Sequence, residues 1–229
     1  MLRWRLGNEH RKRWRTLCSR NWARYGERHG YDIVCIDTPL DTGERARNRS
    51  PSWQKCLILS QDFAKNYERI VWVDSDILIN AVAAPCIVEA VPPGKVGAID
   101  EWSQPTPELN VLVQARRREC DADYTGPYAL EGVEHYTSFG LPGGYSQLVQ
   151  AGVLVLSPAH HRAVLEHVYN AYEDRAPEWN YEQRPLSYEL IDNGYAYWID
   201  QRFNLLWGFY RVLYAPYLNT DDPKSMVAL

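Results

Sequence analysis

The chain has 229 residues, 45% of them hydrophobic and 24% charged, with a formal net charge of −4. A chain of this length buries a real core, and this composition excludes wholesale disorder. The acidic balance lacks the electrostatic footprint of a nucleic-acid binder, so nucleic acid is not an expected partner.

Charge is nevertheless uneven along the chain. Residues 1–28 hold nine basic side chains (Arg3, Arg5, Arg11, Lys12, Arg13, Arg15, Arg20, Arg24 and Arg28) against Glu9 and Glu27. Two readings of that run stay open: a solvated helix face, or peripheral contact with an anionic membrane surface. No window reaches the roughly 18 consecutive apolar residues of a membrane span, and the N-terminus is too charged for a secretory signal. Five cysteines, odd in number and set mostly in apolar segments, argue for reduced thiols. The expectation is therefore a soluble, cytoplasmic chain; nothing in the sequence sets its oligomeric state.

LRWRL (residues 2–6) alternates apolar and basic residues, as a half-buried strand does, and Gly7-Asn8 reads as a turn. From Glu9 to His29, Trp14, Leu17, Cys18, Trp22 and Tyr25 recur at helical spacing, and Gly30 stops the helix. YDIVCID (31–37) reads as a strand, residues 37–52 as a polar surface loop, and WQKCLILSQDFAKNY (53–67) as a helix burying Trp53, Leu57 and Phe63. RIVWVDSDILIN (69–80) is then a strand that ends on Asp74 and Asp76, and VGAID (96–100) a strand that ends on Asp100.

Residues 101–149 read as a long irregular region over one face, around SFGLPGGYSQ. AGVLVLS (151–157) is a buried strand, and Pro158 stands where prolines start helices. EQRPLSYELIDNG is a helix stopped at Asn193-Gly194, and YAYWID (195–200) a last strand. Alternating strands and helices imply an α/β domain with a mostly parallel, Rossmann-like sheet. In such sheets ligands lie beyond the carboxyl ends of the strands, which is where Asp74, Asp76 and Asp100 fall.

Two carboxylates one residue apart on an extended chain point to opposite faces, so holding one ion requires a turn between them. Oxygen ligands of this kind suit Mg²⁺ or Mn²⁺, ions that commonly hold a substrate diphosphate. On its own the Asp-x-Asp pattern is equally compatible with a cap or an ion pair. A phosphohydrolase of the haloacid dehalogenase type also carries the pattern, with Asp74 as nucleophile, but there a Thr or Val usually follows the second Asp, where this chain has Ile77-Leu78.

Taken together, VWVDSDILIN, QAGVLVLSP and EQRPLSYEL resemble the retaining glycosyltransferases of the GT-A fold. That group includes glycogenin, the bacterial lipopolysaccharide galactosyltransferases, and the plant and fungal xylosyl-, galactosyl- and mannosyltransferases. GNEHRKRW, NWARYGERHGYD and SPSWQKCLIL look most like the last of these, and the resemblance spans roughly residues 7–207. It implies a single GT-A domain over residues 1–229 that moves a hexose or pentose from a nucleotide sugar, expected to be a UDP-sugar, to a glycan or other hydroxyl acceptor.

The resemblance further implies that Asp74 and Asp76 hold Mn²⁺ (or Mg²⁺) on the donor diphosphate, with Ser75 near the ribose and Lys55 against the donor. Asp100 would bond the transferred sugar, and Gln150 would do so from a position where the family usually has Asn. Glu182 and Gln183 match the acidic–amide pair beside the reacting carbon. Read from the residues alone, those two could equally cap a helix N-terminus, and Lys55 could be a solvated helix charge. Asp200-Gln201 in IDQRFNLLW ranks second as a catalytic pair, and the Arg-Phe-Asn that follows looks mainly structural.

Two departures from the family pattern stand out: a first strand carrying Arg3 and Arg5, and no histidine in the last 60 residues, where the family draws a third metal ligand. They keep open a second class of function, a non-catalytic GT-A domain that binds nucleotide or glycan or serves as an interaction module.

Overall fold

The computed structural model describes residues 12, 14–120, 132–174 and 182–214. The expected strand LRWRL and the turn after it lie outside them. Four strands form one sheet: β1 (Ile70–Val73), β2 (Val96–Asp100), β3 (Val149–Leu156) and β4 (Ala196–Trp198), in the spatial order β1-β3-β2-β4. Seven α-helices lie among the described residues: α1 (Ser19–His29), which continues a π-helical turn at Trp14–Cys18, α2 (Glu44–Arg47), α3 (Pro107–Cys120), α4 (Gly132–Thr137), α5 (Pro158–Ala171), α6 (Gln183–Asp192) and α7 (Trp207–Tyr214). The protein is a mixed α/β structure.

The sheet is mixed, not mostly parallel. β3 pairs antiparallel with both β1 and β2, and only β2 and β4 are parallel neighbours. The reason lies in how the chain re-enters the sheet. It leaves β2 at Asp100 and comes back beside the same end, where the Glu101 N–H donates to the Leu148 carbonyl at 2.8 Å. A strand entered from the end at which its neighbour finished must run the other way. β1, β2 and β4 nevertheless share one direction, so their carboxyl ends and the start of β3 meet along a single edge.

Along β3 the pairing with β2 slips. Gly97 faces Val155, while Ile99, two residues on, faces Gln150, five residues back, so β3 carries three extra residues there. Its pairing with β1 stays in register. Such a bulge turns backbone groups out of the ladder, and this one falls at Ala151–Leu154, beside Asp74.

Both faces of the sheet are covered. Trp53, Leu59, Val164, Leu165, Val168, Leu186 and Leu190 pack on one face with Ala98 and Leu154. Ile87, Val91 and Ile199 pack on the other with Ile99, Val153 and Val155. The almost wholly apolar β3 sequence, with Gln150 its one polar residue, follows from this double burial.

Three expected elements differ. Residues 31–37 form no strand and pair with no described strand, and Ile33 and Val34 stay exposed; apolar character alone forms no strand without a neighbour to take its hydrogen bonds. Residues 53–67 form two 3-10 helices, Pro51–Ser60 and Asp62–Asn66, with an extended break at Gln61. Trp53, Cys56 and Leu59 are all buried, and a strict three-residue stripe lies straight along a 3-10 helix and winds around an α-helix. The region 101–149, read as irregular, contains α3, α4 and a 3-10 turn at Glu101–Ser103.

The polar loop before Pro51 is also held more firmly than a surface loop. Arg49 is buried between the rings of Trp53 and Tyr169, 4.6 and 4.7 Å from their centroids. It donates to the Tyr169 and Tyr172 carbonyls and to Glu173. Asp174 accepts from the Ser50 N–H and the Trp53 indole. Cys18, Cys35, Cys56 and Cys86 are free thiols. Among the described residues no helix is long and apolar enough to cross a membrane.

Candidate functional site

The edge where β1, β2 and β4 end gathers most of the candidate residues. Asp74 follows β1 directly and is tied to the bulge of β3, its N–H donating to the Gly152 carbonyl at 2.8 Å. The chain then turns, closed by Ile77 N–H to the Asp74 carbonyl at 3.1 Å, and this turn leaves Ser75 and Asp76 exposed. The turn that two adjacent acids need is therefore present. Among the described residues no group of three His, Cys, Asp or Glu side chains is arranged to hold a metal, so an ion here would draw on Asp74 and Asp76 alone.

Helix α1 holds the segment after that turn. Its Asn21 amide, Trp22 indole, Tyr25 hydroxyl and His29 ring bond the carbonyls of Ile79, Ile77, Pro85 and Ala84, and Arg28 bonds that of Val82. Part of the basic N-terminal run thus serves a local structural purpose, while Arg15, Arg20 and Arg24 are exposed. Burial, followed by the Asp76 charge, pushes the thiol of Cys18, just before this helix, above its ordinary pKa.

Lys55 is not a solvated helix charge. The 3-10 helix Pro51–Ser60 buries it, leaving 6% of the side chain exposed, with its ammonium 2.9 Å from Glu182 and 3.4 Å from both carboxylate oxygens of Asp74. It also donates to the Ala151 carbonyl, turned out by the bulge, at 3.1 Å. Burial pulls the Lys55 pKa down, but the charges of Glu182 and Asp74 outweigh it and hold it above the ordinary lysine value.

Glu182 immediately precedes α6 and is 5% exposed. Its side chain makes no cap bond to the helix, so the capping reading does not hold; the carboxylate turns to Lys55 and the Ser52 hydroxyl. Burial pushes its carboxyl up, yet Lys55 and Ser52 more than offset that and keep it below the usual range. Asp74 goes the other way: loss of hydration raises its pKa, the neighbouring Glu182 and Asp76 charges add to the rise, and Lys55 and the Trp72 indole only partly oppose it. That indole donates to Asp74 Oδ1 at 2.6 Å.

Gln150 sits in the same cluster, its amide oxygen accepting from the Gly152 N–H at 2.6 Å and from the Asn204 amide. Gln183 spans the next step along the edge, donating to the Glu101 carboxylate at 2.6 Å and to the Val149 carbonyl at 3.1 Å. Asp100 is held by local partners. Its carboxylate accepts from the N–H groups of Trp102 and Leu148 and from the Ser103 hydroxyl, pinning the two ends of the 101–148 excursion together. Asp200 likewise caps its own 3-10 turn and pairs with Arg202, and Gln201 bonds the Ser103 carbonyl.

Lys55, Asp74, Gln150 and Glu182 are thus brought together, Gln183 lies beside them, Ser75 and Asp76 line the exposed turn, and Asp100 is occupied in capping. Sequence reasoning missed Trp72, Ser52, Glu101 and Gly152. Gly152 is needed for its size: a Cβ there would lie 2.8 Å from Gln150 Oε1 and 3.5 Å from Asp74 Oδ2. A glycine inside an otherwise apolar strand is the signal that marked it, since it flags a bulge or a close approach. No protein-family model, no curated protein and no solved structure matches the chain.

Proposed function

We propose that the chain is a nucleotide-sugar-dependent, retaining glycosyltransferase with a GT-A-like domain, using Mn²⁺ or Mg²⁺ and a donor that is a UDP-sugar. The observation that carries the reading is the meeting of Lys55, Asp74 and Glu182 at the edge where three strands end. Two carboxylates, Asp74 and Glu182, face one ammonium, and Asp76 adds a further negative charge across the exposed turn from Asp74. Asp74 and Asp76 are hard oxygen donors on either side of a turn, and with water and phosphate oxygens they meet the needs of such an ion. When bound, the ion would supply Lewis-acid stabilisation to the departing diphosphate.

The chain's own residues have separate tasks in this reading. The bond from the anomeric carbon to the diphosphate oxygen breaks, the acceptor oxygen bonds that carbon on the same face, and the acceptor proton passes to the released diphosphate. Glu182, kept ionised beside Lys55, offers negative charge to the oxocarbenium-like transition state. Gln150 and Gln183 contribute amide groups that orient the sugar, and Ser75 lies at the ribose. A glycan or other hydroxyl group is the acceptor, and any contact with a membrane surface would use the exposed arginines of α1.

A second reading, a non-catalytic domain that binds nucleotide or glycan, draws support from Asp100 and Gln183. Both spend their polar atoms on neighbours within the protein. Calorimetry with UDP, with and without Mn²⁺, tests the shared part: metal-dependent binding that is lost in Asp76→Ala supports it, and metal-indifferent binding sinks it. Nucleotide release from a panel of UDP- and GDP-sugars then separates enzyme from binder.

A further inference from the structure

The geometry around Lys55 points to a role as an internal stand-in cation. We propose that Lys55 is the resident counter-ion of the Asp74–Glu182 pair and that it competes with a divalent cation for Asp74. The inference rests on the metal-dependent reading above, and it concerns the protein before any donor arrives.

The two carboxylates hold Lys55 unequally. Glu182 grips it at 2.9 Å and is 5% exposed, whereas Asp74 stands 3.4 Å away through both oxygens and is 37% exposed. The Ala151 carbonyl at 3.1 Å secures the ammonium from the side of the sheet. Glu182 is therefore buried, and Asp74 is the face that an ion in solution meets. Asp74 is also pre-oriented, because the Trp72 indole fixes one oxygen at 2.6 Å.

An ion arriving at Asp74 finds a unit positive charge already on the same carboxylate. Like charges so close repel, and Lys55 has somewhere to go: Glu182 and the Ala151 carbonyl can hold it without Asp74. Glu182 thereby acts as a positioning residue for the metal site, drawing Lys55 off Asp74. At a separation of about 5 Å, a unit charge shifts the affinity of a divalent ion by about tenfold or more even at the dielectric of water.

Two substitutions should consequently move metal affinity in opposite directions. Lys55→Met removes the competitor, so Mn²⁺ binding to the protein without nucleotide tightens about tenfold. Glu182→Gln removes the other anchor, so Lys55 falls back on Asp74 and Mn²⁺ binding weakens about tenfold. A merely structural role would weaken binding in both or in neither.

The test is titration with Mn²⁺ alone, reading free Mn²⁺ by electron paramagnetic resonance, with circular dichroism to establish that each variant is folded. Lys55→Arg, which keeps the charge, serves if Lys55→Met fails to fold: it should bind no tighter than the wild type, against the weakening in Glu182→Gln. Binding first seen in Lys55→Met and missing from the wild type also supports the proposal. Wild-type binding that Asp74→Asn abolishes, but that Lys55→Met and Glu182→Gln leave unmoved or shift alike, overturns the competition and leaves the metal reading standing. No Mn²⁺ binding by any of these proteins overturns both.

Discussion

Removing the ammonium of Lys55 strands two carboxylates, and the stability of Lys55→Met measures what that ammonium contributes. Lys55 and Glu182 are 6% and 5% exposed, so their attraction is little screened, while Asp74 at 37% is free to rehydrate. Breaking a buried pair from one side costs about 3–5 kcal/mol. With the Ser52 hydroxyl still bonding Glu182 and Asp74 free to rehydrate, the low end applies, about 3 kcal/mol at pH 7.5. A domain has about 5–15 kcal/mol to lose, so the variant should fold and melt early.

The loss depends on pH with a definite sign. In the wild type the folded Glu182 pKa lies below its ordinary value, so its stabilisation is fully present above about pH 4.3 and is lost as pH falls through the folded value. Without Lys55, burial is opposed only by the Ser52 hydroxyl and a backbone N–H, so the folded pKa should move above the ordinary value and the same group destabilise as pH rises through it. Asp74, already raised, moves further in the same direction. The gap between wild type and variant is therefore widest near neutrality and narrows toward pH 5. Urea unfolding at both pH values reads it, and adding Glu182→Gln to Lys55→Met should restore about half of the loss or more. A deficit below about 1 kcal/mol at pH 7.5, or one indifferent to pH, would refute the electrostatic account of this cluster.

Three other substitutions probe the parts that support the site. Gly152→Ala forces a Cβ against Gln150 Oε1 and should destabilise by about 1–3 kcal/mol while weakening UDP binding, read by calorimetry beside a thermal melt. Arg49→Met removes a buried guanidinium from between Trp53 and Tyr169 together with its bonds to two carbonyls, and urea unfolding should show a loss of about 3 kcal/mol. Tyr25→Phe deletes the hydroxyl that donates to the Pro85 carbonyl and accepts from the Ile87 N–H, a loss of about 1–2 kcal/mol. Amide exchange should then rise over residues 77–87 and not in α5.

Much of this protein is legible in the sequence because local rules act within a few residues. VGAID and QAGVLVLS announce strands buried on both faces, Pro158 starts α5, and Gly30, left-handed at φ 71°, ends α1. The acids at the ends of β1 and β2 mark the edge where the chain leaves the core, since an unpaired carboxylate is costly to bury.

Tertiary structure alone decided what those acids do. Asp74 and Asp100 both follow apolar strands, yet one meets a buried lysine 19 positions back, and the other caps a turn with Trp102 and Ser103 next to it and Leu148 48 positions on. Strand direction was likewise beyond local reach: β3 reads the same in either sense, and only the return of the chain to the end it had left made it antiparallel. The 3-10 winding of Pro51–Ser60 followed from packing that placed Trp53, Cys56 and Leu59 in one line and carried Lys55 inward. A charge on a helix reads as solvated until the fold sets two carboxylates around it, and here the fold did so.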